Sequence, residues 1–259
     1  FVHTTIAPHA PYTVNDAALK HCAEISDKYG VPIHMHVNET AVEVSDSLRD
    51  HHERPIDRLK RLGLLNERLI SVHSVHTSNE DIRMLAEARA SVCHCPSSNL
   101  KLASGFAPVA KMMKAGINLG IGTDGAASND KLDMLGETRL AAMLAKAVAQ
   151  DPTAAPVFAM LEAATLGGAR ALRWDADIGS LEIGKAADLF AIDLGTPESL
   201  PVADPAAQIL YSAGRECITH TWVDGRLIME KHARAAYPQT DALAAAALCA
   251  QKWQSRLKN

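Results

Sequence analysis

Short apolar runs, each closed by a histidine or an aspartate and followed by a helical segment, constrain this chain more than any other feature. They are Thr4-Thr5-Ile6-Ala7-Pro8-His9, Ile33-His34-Met35-His36-Val37, Leu69-Ile70-Ser71-Val72-His73, Ala90-Ser91-Val92-Cys93-His94-Cys95 and Ile117-Asn118-Leu119-Gly120-Ile121-Gly122-Thr123-Asp124. Strand–helix alternation of this kind predicts a parallel α/β sheet. His9, His36, His73, His94 and Asp124 fall at the C-terminal ends of successive runs. In a TIM barrel, (β/α)8, active sites form at that end. A doubly wound sheet would carry a Gly-rich phosphate turn after a strand, and none is visible. The runs make about the last five strand–helix units of an eight-unit barrel. Three more are expected upstream, because the opening Phe1-Val2-His3-Thr4-Thr5-Ile6 reads as the middle of a strand.

The stretch Val31-Pro32-Ile33-His34-Met35-His36-Val37-Asn38-Glu39 carries the densest chemistry. Side chains alternate faces along a strand, so His34 and His36 share one face and Ile33, Met35 and Val37 the other. Glu39 follows where a loop begins. His34 is expected to fill the barrel interior. His36, Glu39, His73 and Asp124 come from three strand ends that converge in a closed barrel. Two imidazoles and a carboxylate suit a catalytic zinc with a place left for water, whose proton becomes easier to remove there. The blander possibility is that these polar residues only fill the barrel interior.

The other segments set the domain plan. Asn15 caps a helix whose apolar side reads as Ala18, Cys22, Ile25 and Tyr29, with Gly30 at its end. The polar stretch with Arg49, Asp50, His51 and His52 reads as an exposed excursion, and both histidines as solvated. Pro55 opens a helix through Leu59, Leu62 and Leu65. Ser78 caps the next, and another spans about 108–116. The segment Ser97-Ser98-Asn99-Leu100-Lys101-Leu102-Ala103-Ser104-Gly105 reads as a loop. A long Ala/Leu-rich helix follows over about 132–149, then more helix over 154–172 broken at Gly167-Gly168. Asp188-Leu189-Phe190-Ala191-Ile192-Asp193 reads as a strand, 204–213 as a helix, and 217–229 as a hairpin around Asp224-Gly225. This divides the chain into a barrel portion over 1–175, a small β-sandwich-like domain over 176–235 and a C-terminal helix over 236–259.

Composition narrows the function classes. A net charge of −4 without basic runs argues against a nucleic-acid partner. No apolar run is long enough to span a bilayer, so no membrane partner is expected. The five cysteines include no CxxC pair, which points to free thiols and a cytoplasmic setting. Of the twelve histidines, only His220 and His232 lie beyond His94, which places a site in the first part. Cys93 and Cys95 read as core filling, His94 as packing under the following loop, His76 as a supporting or loop residue, and Asp130 and Glu137 as surface helix charges.

Several stretches together resemble the amidohydrolase superfamily, and within it the 5-methylthioadenosine/S-adenosylhomocysteine deaminases. They are Ala7-Pro8-His9-Ala10-Pro11-Tyr12, His36-Val37-Asn38-Glu39-Thr40, Val72-His73, His94-Cys95-Pro96 with the Ser97–Gly105 segment, and Gly122-Thr123-Asp124-Gly125-Ala126-Ala127-Ser128-Asn129. Ile178-Gly179-Ser180-Leu181-Glu182-Ile183-Gly184-Lys185-Ala186-Ala187-Asp188-Leu189 resembles the family's return into its β-domain. The resemblance implies one zinc, or another divalent metal, per subunit, with His36 and Asp124 as ligands. It implies that Glu39 protonates the purine N1, that His73 and Asp124 act on the attacking water, that His9 contacts the nucleoside, and that Ser128 and the segment around Asn99 line the pocket. The superfamily's first-strand His-x-His pair is absent from these residues. The implied reaction is hydrolytic deamination at C6 of adenosine, 5-methylthioadenosine or S-adenosylhomocysteine, by a homodimer or larger homo-oligomer. Guanine or 8-oxoguanine deaminases and triazine hydrolases share the chemistry. An inactive fragment serving as an interaction or folding module is the alternative outside catalysis.

Overall fold

Four parallel strands, β1 (Ile33–Val37), β2 (Leu69–His73), β3 (Ser91–His94) and β4 (Asn118–Ile121), pair in sequence order in the computed structural model. The structure describes residues 2–197, 199–230, 233–234, 244, 247–249 and 251–252. It divides into one unit up to Ser180 and another from Leu181. In the first, the register sets Val37 beside His73 and His94 beside Ile121, so the strand ends lie level. Ahead of β1, Ile6 makes a single parallel bridge to Ile33. The strand expected over 4–9 goes no further as a ladder; Pro8 has no N–H to give one. His9 is still fixed to the sheet edge, because its carbonyl accepts from His36 N–H at 3.1 Å.

Helices cover the outer face. Ile33, Met35 and Val37 of β1 are buried, while His34 and His36 on the other face are half-exposed. Leu19, Leu59, Leu64, Leu69 and Leu85 are fully buried, each contributing roughly 1.5–3 kcal/mol. Helix α1 (Asp16–Tyr29) starts at Asn15, whose side chain accepts from Ala18 N–H, and ends at Gly30 with φ 66°. Its buried side is Leu19, Ala23 and Ser26, one position away from the expected face; Ala18 and Tyr29 are exposed. Ser26 is buried because its hydroxyl donates to the Val31 carbonyl at 2.7 Å.

Between β1 and β2 lie α2 (Ala41–His51) and α3 (Pro55–Arg61). The stretch expected as an irregular excursion is therefore a helix. Thr40 caps it by accepting from Glu43 N–H at 3.1 Å. The Glu43 carboxylate reaches back to the N–H groups of Asn38 and Glu39 at 2.9 and 2.7 Å. Between β2 and β3 runs α4 (Asn79–Glu87), opened by a Ser78–Asp81 capping box. Then α5 (Pro96–Lys101) and α6 (Val109–Lys114) precede β4. The first turns of the expected loop after Pro96 are thus helical; Pro96 sits at its first position, where a missing N–H costs nothing.

After β4 come α7 (Ala126–Asn129), α8 (Met134–Ala149) and α9 (Val157–Glu162). The chain does not break at Gly167-Gly168. A π-helical turn, Ala163–Gly167, leads directly into α10 (Gly168–Ala171). Gly167 lies so close to β4 that an added Cβ would collide with the Leu119 carbonyl oxygen, and its own carbonyl accepts from Asn118.

The second unit contains an antiparallel sheet, β5 (Leu189–Ile192), β6 (Ile218–Val223), β7 (Arg226–Glu230) and β8 (Ala233–Arg234), in sequence order. Asp224 and Gly225, both at positive φ, close the β6–β7 hairpin. Helix α11 (Pro205–Tyr211) begins at an Asp204 cap. The helix expected at the C-terminus lies almost wholly outside the described residues.

Candidate active site

The backbone turns sharply where the strands end. Asn38, His73, Ser74 and Asp124 take positive φ values of 55°, 69°, 49° and 60°. For residues with a Cβ such turns cost on the order of 1–3 kcal/mol each, and they concentrate at functional sites. Here they direct the side chains of β1, β2 and the segment after β4 toward one point.

Potential ligand atoms of His36, His73 and Asp124 lie within 4.8 Å of one another. His36 Nε2 stands 3.9 Å from Asp124 Oδ1. The His36 and His73 ring centres are 5.1 Å apart. Glu39 is beside them, with Oε2 3.9 Å from His73 Nε2 and Oε1 accepting from the Ser104 hydroxyl at 3.1 Å. His9 lies on the other side, its ring 5.1 Å from that of His36 and its Nδ1 2.9 Å from Thr13 Oγ1. Ser128 donates to Asp124 Oδ2 at 2.7 Å. All the site residues expected from the sequence thus fall in one neighbourhood.

The electrostatics divide the labour. Burial and the neighbouring His73 ring hold the His36 imidazole below its ordinary pKa, although Asp124 pulls the other way. Its lone pair is therefore available at neutral pH. Burial pushes the Asp124 carboxyl up, but hydrogen bonds from Ser98, Ser128 and Gly125 outweigh it and hold the group below the usual carboxylate range. Neutral imidazole and ionised carboxylate are the ligand forms that zinc takes. With Oδ2 occupied by two hydroxyls and Oδ1 turned to His36, the donor set fits a divalent metal.

Helix α5, in the segment that the resemblance places along the pocket, contributes contacts that no local sequence pattern specifies. The Ser98 hydroxyl, fully buried, donates to Asp124 Oδ2 at 2.6 Å. Asn99 Oδ1 lies 2.8 Å from His73 Nδ1. Ser97 N–H donates to Glu137 Oε2 at 3.1 Å, and Asn129 Nδ2 to Glu137 Oε1 at 2.8 Å. Glu137 is therefore no surface charge. It is 3% exposed and clamps α5 to the segment after β4. Lys101 reinforces the clamp by donating to the Ala127 carbonyl and to Asp130, which is exposed as expected.

The remaining polar candidates are structural. His94 is 2% exposed, and neither ring nitrogen has a partner among the described residues; burial lowers its pKa to about 4. His76 Nε2 bonds the Ser104 carbonyl at 2.7 Å, holding the segment that carries Ser104 to Glu39. The Cys93 and Cys95 thiols crowd the Cα of Gly122, where an added Cβ would meet them at 2.7 and 3.2 Å. His51 and His52 are exposed at the end of α2. No helix among the described residues is long and apolar enough to cross a membrane.

Comparison with known proteins follows the same lines. The model of the amidohydrolase family matches residues 1–228. A 5-methylthioadenosine/S-adenosylhomocysteine deaminase of Caldanaerobacter subterraneus subsp. tengcongensis is 43% identical over 230 residues, covering 89% of this chain and 53% of that relative. One of Symbiobacterium thermophilum is 45% identical over 227 residues, 87% of this chain and 52% of the relative. Among solved structures, an adenosine deaminase from Xanthomonas campestris with bound zinc is 47% identical, with a TM-score of 0.94 over 98% of this chain and 57% of that one. An atrazine chlorohydrolase from Arthrobacter aurescens, complexed with zinc, is 27% identical, with a TM-score of 0.85 over 90% of this chain and 52% of its own. The chain spans about half the length of the curated relatives it matches. Its parallel sheet and these likenesses give it a TIM-barrel-type α/β fold, and the chain belongs to the amidohydrolase family.

Proposed function

We propose that the protein carrying this chain is a metal-dependent aminohydrolase that deaminates an adenosine derivative at purine C6. The observation that supports it most is the meeting of His36, His73 and Asp124 within 4.8 Å, with Glu39 beside them at the ends of the strands. The names of the similar proteins support the substrate class, adenosine, 5-methylthioadenosine or S-adenosylhomocysteine. His36 and Asp124 would hold the metal, for which zinc is the first choice. When bound, the metal supplies a positive centre that lowers the pKa of a water from ~15.7 to ~7.

The chain's own groups handle the protons. His73, with Nε2 facing Glu39, accepts a proton from the attacking water. Glu39, protonated at the outset, delivers that proton to the purine N1, which makes C6 electrophilic. The proton that His73 took from the water goes on to the departing amino group, which leaves as ammonia, and the adduct's hydroxyl proton returns to Glu39. Ser104 holds Glu39 Oε1, leaving Oε2 for this transfer. His9, packed edge-on to His36 and Tyr12, orients the nucleoside. Ser98 and Ser128 keep Asp124 ionised and turned toward His36. Assembly as a homo-oligomer in the cytoplasm, and division into a barrel portion over 1–175, a sandwich-like domain over 176–235 and a helix over 236–259, belong to the same proposal.

Ammonia release from adenosine, 5-methylthioadenosine, S-adenosylhomocysteine, guanine and a triazine by the whole protein tests it. Release from the adenosine group with inosine-type products is the expected result. Turnover of guanine or the triazine alone would overturn the substrate class, and no turnover of any of them with metal bound would overturn the reaction.

A further inference from the structure

A histidine that moves a proton needs its two nitrogens told apart, and the structure shows what does this for His73. Its Nδ1 lies 2.8 Å from Asn99 Oδ1. An amide oxygen only accepts, so Nδ1 carries the hydrogen and donates it. In the neutral ring Nε2 then holds the lone pair, and it is the nitrogen that faces Glu39, 3.9 Å away. His73 and Asn99 are 1% and 2% exposed, so bulk water does not compete for this bond. Asn99 Nδ2 has no partner among the described residues.

Asn99 is itself held tightly. Its N–H donates to the Cys95 carbonyl at 3.1 Å and its carbonyl accepts from Ser104 N–H at 2.8 Å. Ser98, its neighbour, is bonded to Asp124, and Ser97 to buried Glu137. One short helix therefore fixes the two groups that would act on the water: Ser98 sets Asp124 and Asn99 sets His73.

We propose that Asn99 is a positioning residue for the reaction, locking His73 in the Nδ1–H tautomer so that Nε2 is the proton acceptor. This rests on the deaminase reading given above. Partners that orient a histidine are worth on the order of 10–100-fold in rate or affinity.

The test uses the whole, metal-loaded protein with variants Asn99→Leu, Asn99→Asp, His73→Ala and the double variant Asn99→Leu/His73→Ala. Asn99→Leu should lower kcat by about 100-fold while KM moves less than about threefold. Asn99→Asp, which keeps an acceptor in the same place, should stay within about tenfold of wild type. The double variant should match His73→Ala, because a residue acting only through His73 has nothing left to lose. Unchanged kcat in Asn99→Leu, or losses that multiply in the double variant, would overturn the proposal. Nitrogen-15 NMR of the His73 ring decides it independently of turnover and of how Asn99→Leu folds. The Nδ1–H tautomer in the wild-type protein supports the proposal, and the Nε2–H tautomer sinks it. A wild-type protein that releases no ammonia yet shows the Nδ1–H tautomer would fail the deaminase reading alone.

Discussion

Asp124 Oδ1 faces His36 Nε2 across 3.9 Å, while its other oxygen, Oδ2, accepts hydroxyls from Ser98 and Ser128 at 2.6 and 2.7 Å. The carboxylate is thus committed at one end and open at the other. Replacing Asp124 with Ala removes the open end and leaves two hydroxyls without their acceptor. Metal content by elemental analysis should fall from about one per chain to near zero, and turnover with it, since a catalytic zinc has about three protein ligands and no spare one. Normal metal content in Asp124→Ala would remove Asp124 from the ligand set.

Glu137 makes a prediction about stability rather than chemistry. Its two oxygens serve Ser97 N–H, in a partly buried setting, and Asn129 Nδ2, in a buried one. Glu137→Ala leaves both donors unsatisfied, at roughly 1–3 kcal/mol each. The midpoint of urea unfolding should drop, and Glu137→Gln, which keeps one acceptor, should lose less. If the Ala variant unfolds at the wild-type midpoint, α5 is anchored by something else.

Much of the architecture was legible because period and position agree. The strands alternate His34 and His36 against Ile33, Met35 and Val37, and their reactive ends are spaced by helices with visible caps such as Asn15 and Ser78. Helix α2 also announces itself, through the Thr40-x-x-Glu43 box, but its many charges masked that signal. Other features depend on distant partners. Ser26 is buried because Val31 accepts its hydroxyl, which shifts the buried side of α1 by one position. Glu137 looks like any helix carboxylate until α5 is brought against it. Asn99 and Ser98 look like loop residues, and only the meeting of strand ends gives them His73 and Asp124 to hold. Tertiary contacts of this kind leave no periodic trace.

His94 makes the fold acid-sensitive. Burial lowers its pKa to about 4, against an unfolded value of ~6.5. Above ~6.5 both states are neutral and the group contributes no pH dependence. As pH falls from ~6.5 toward 4, the unfolded chain takes up a proton that the folded one refuses, so stability drops by on the order of 3 kcal/mol across that window. Urea unfolding at a series of pH values should show this loss, and His94→Gln, which cannot charge, should flatten it. An equal slope in the variant would assign the acid sensitivity to other groups.

In the proposed reaction, Glu39 separates proton transfer from metal binding. Its Oε1 is taken by Ser104, and its Oε2 lies 3.9 Å from His73 Nε2. Glu39 is also absent from the cluster of potential ligand atoms formed by His36, His73 and Asp124. Glu39→Gln keeps the size of the side chain and an oxygen that can accept from Ser104, but removes the exchangeable proton. Metal content should therefore stay at the wild-type level while kcat falls by roughly 10²–10⁴, the usual contribution of a positioned acid–base group. A variant that loses its metal would make Glu39 a ligand or its support, and one that retains wild-type turnover would require another residue to carry the proton to the purine.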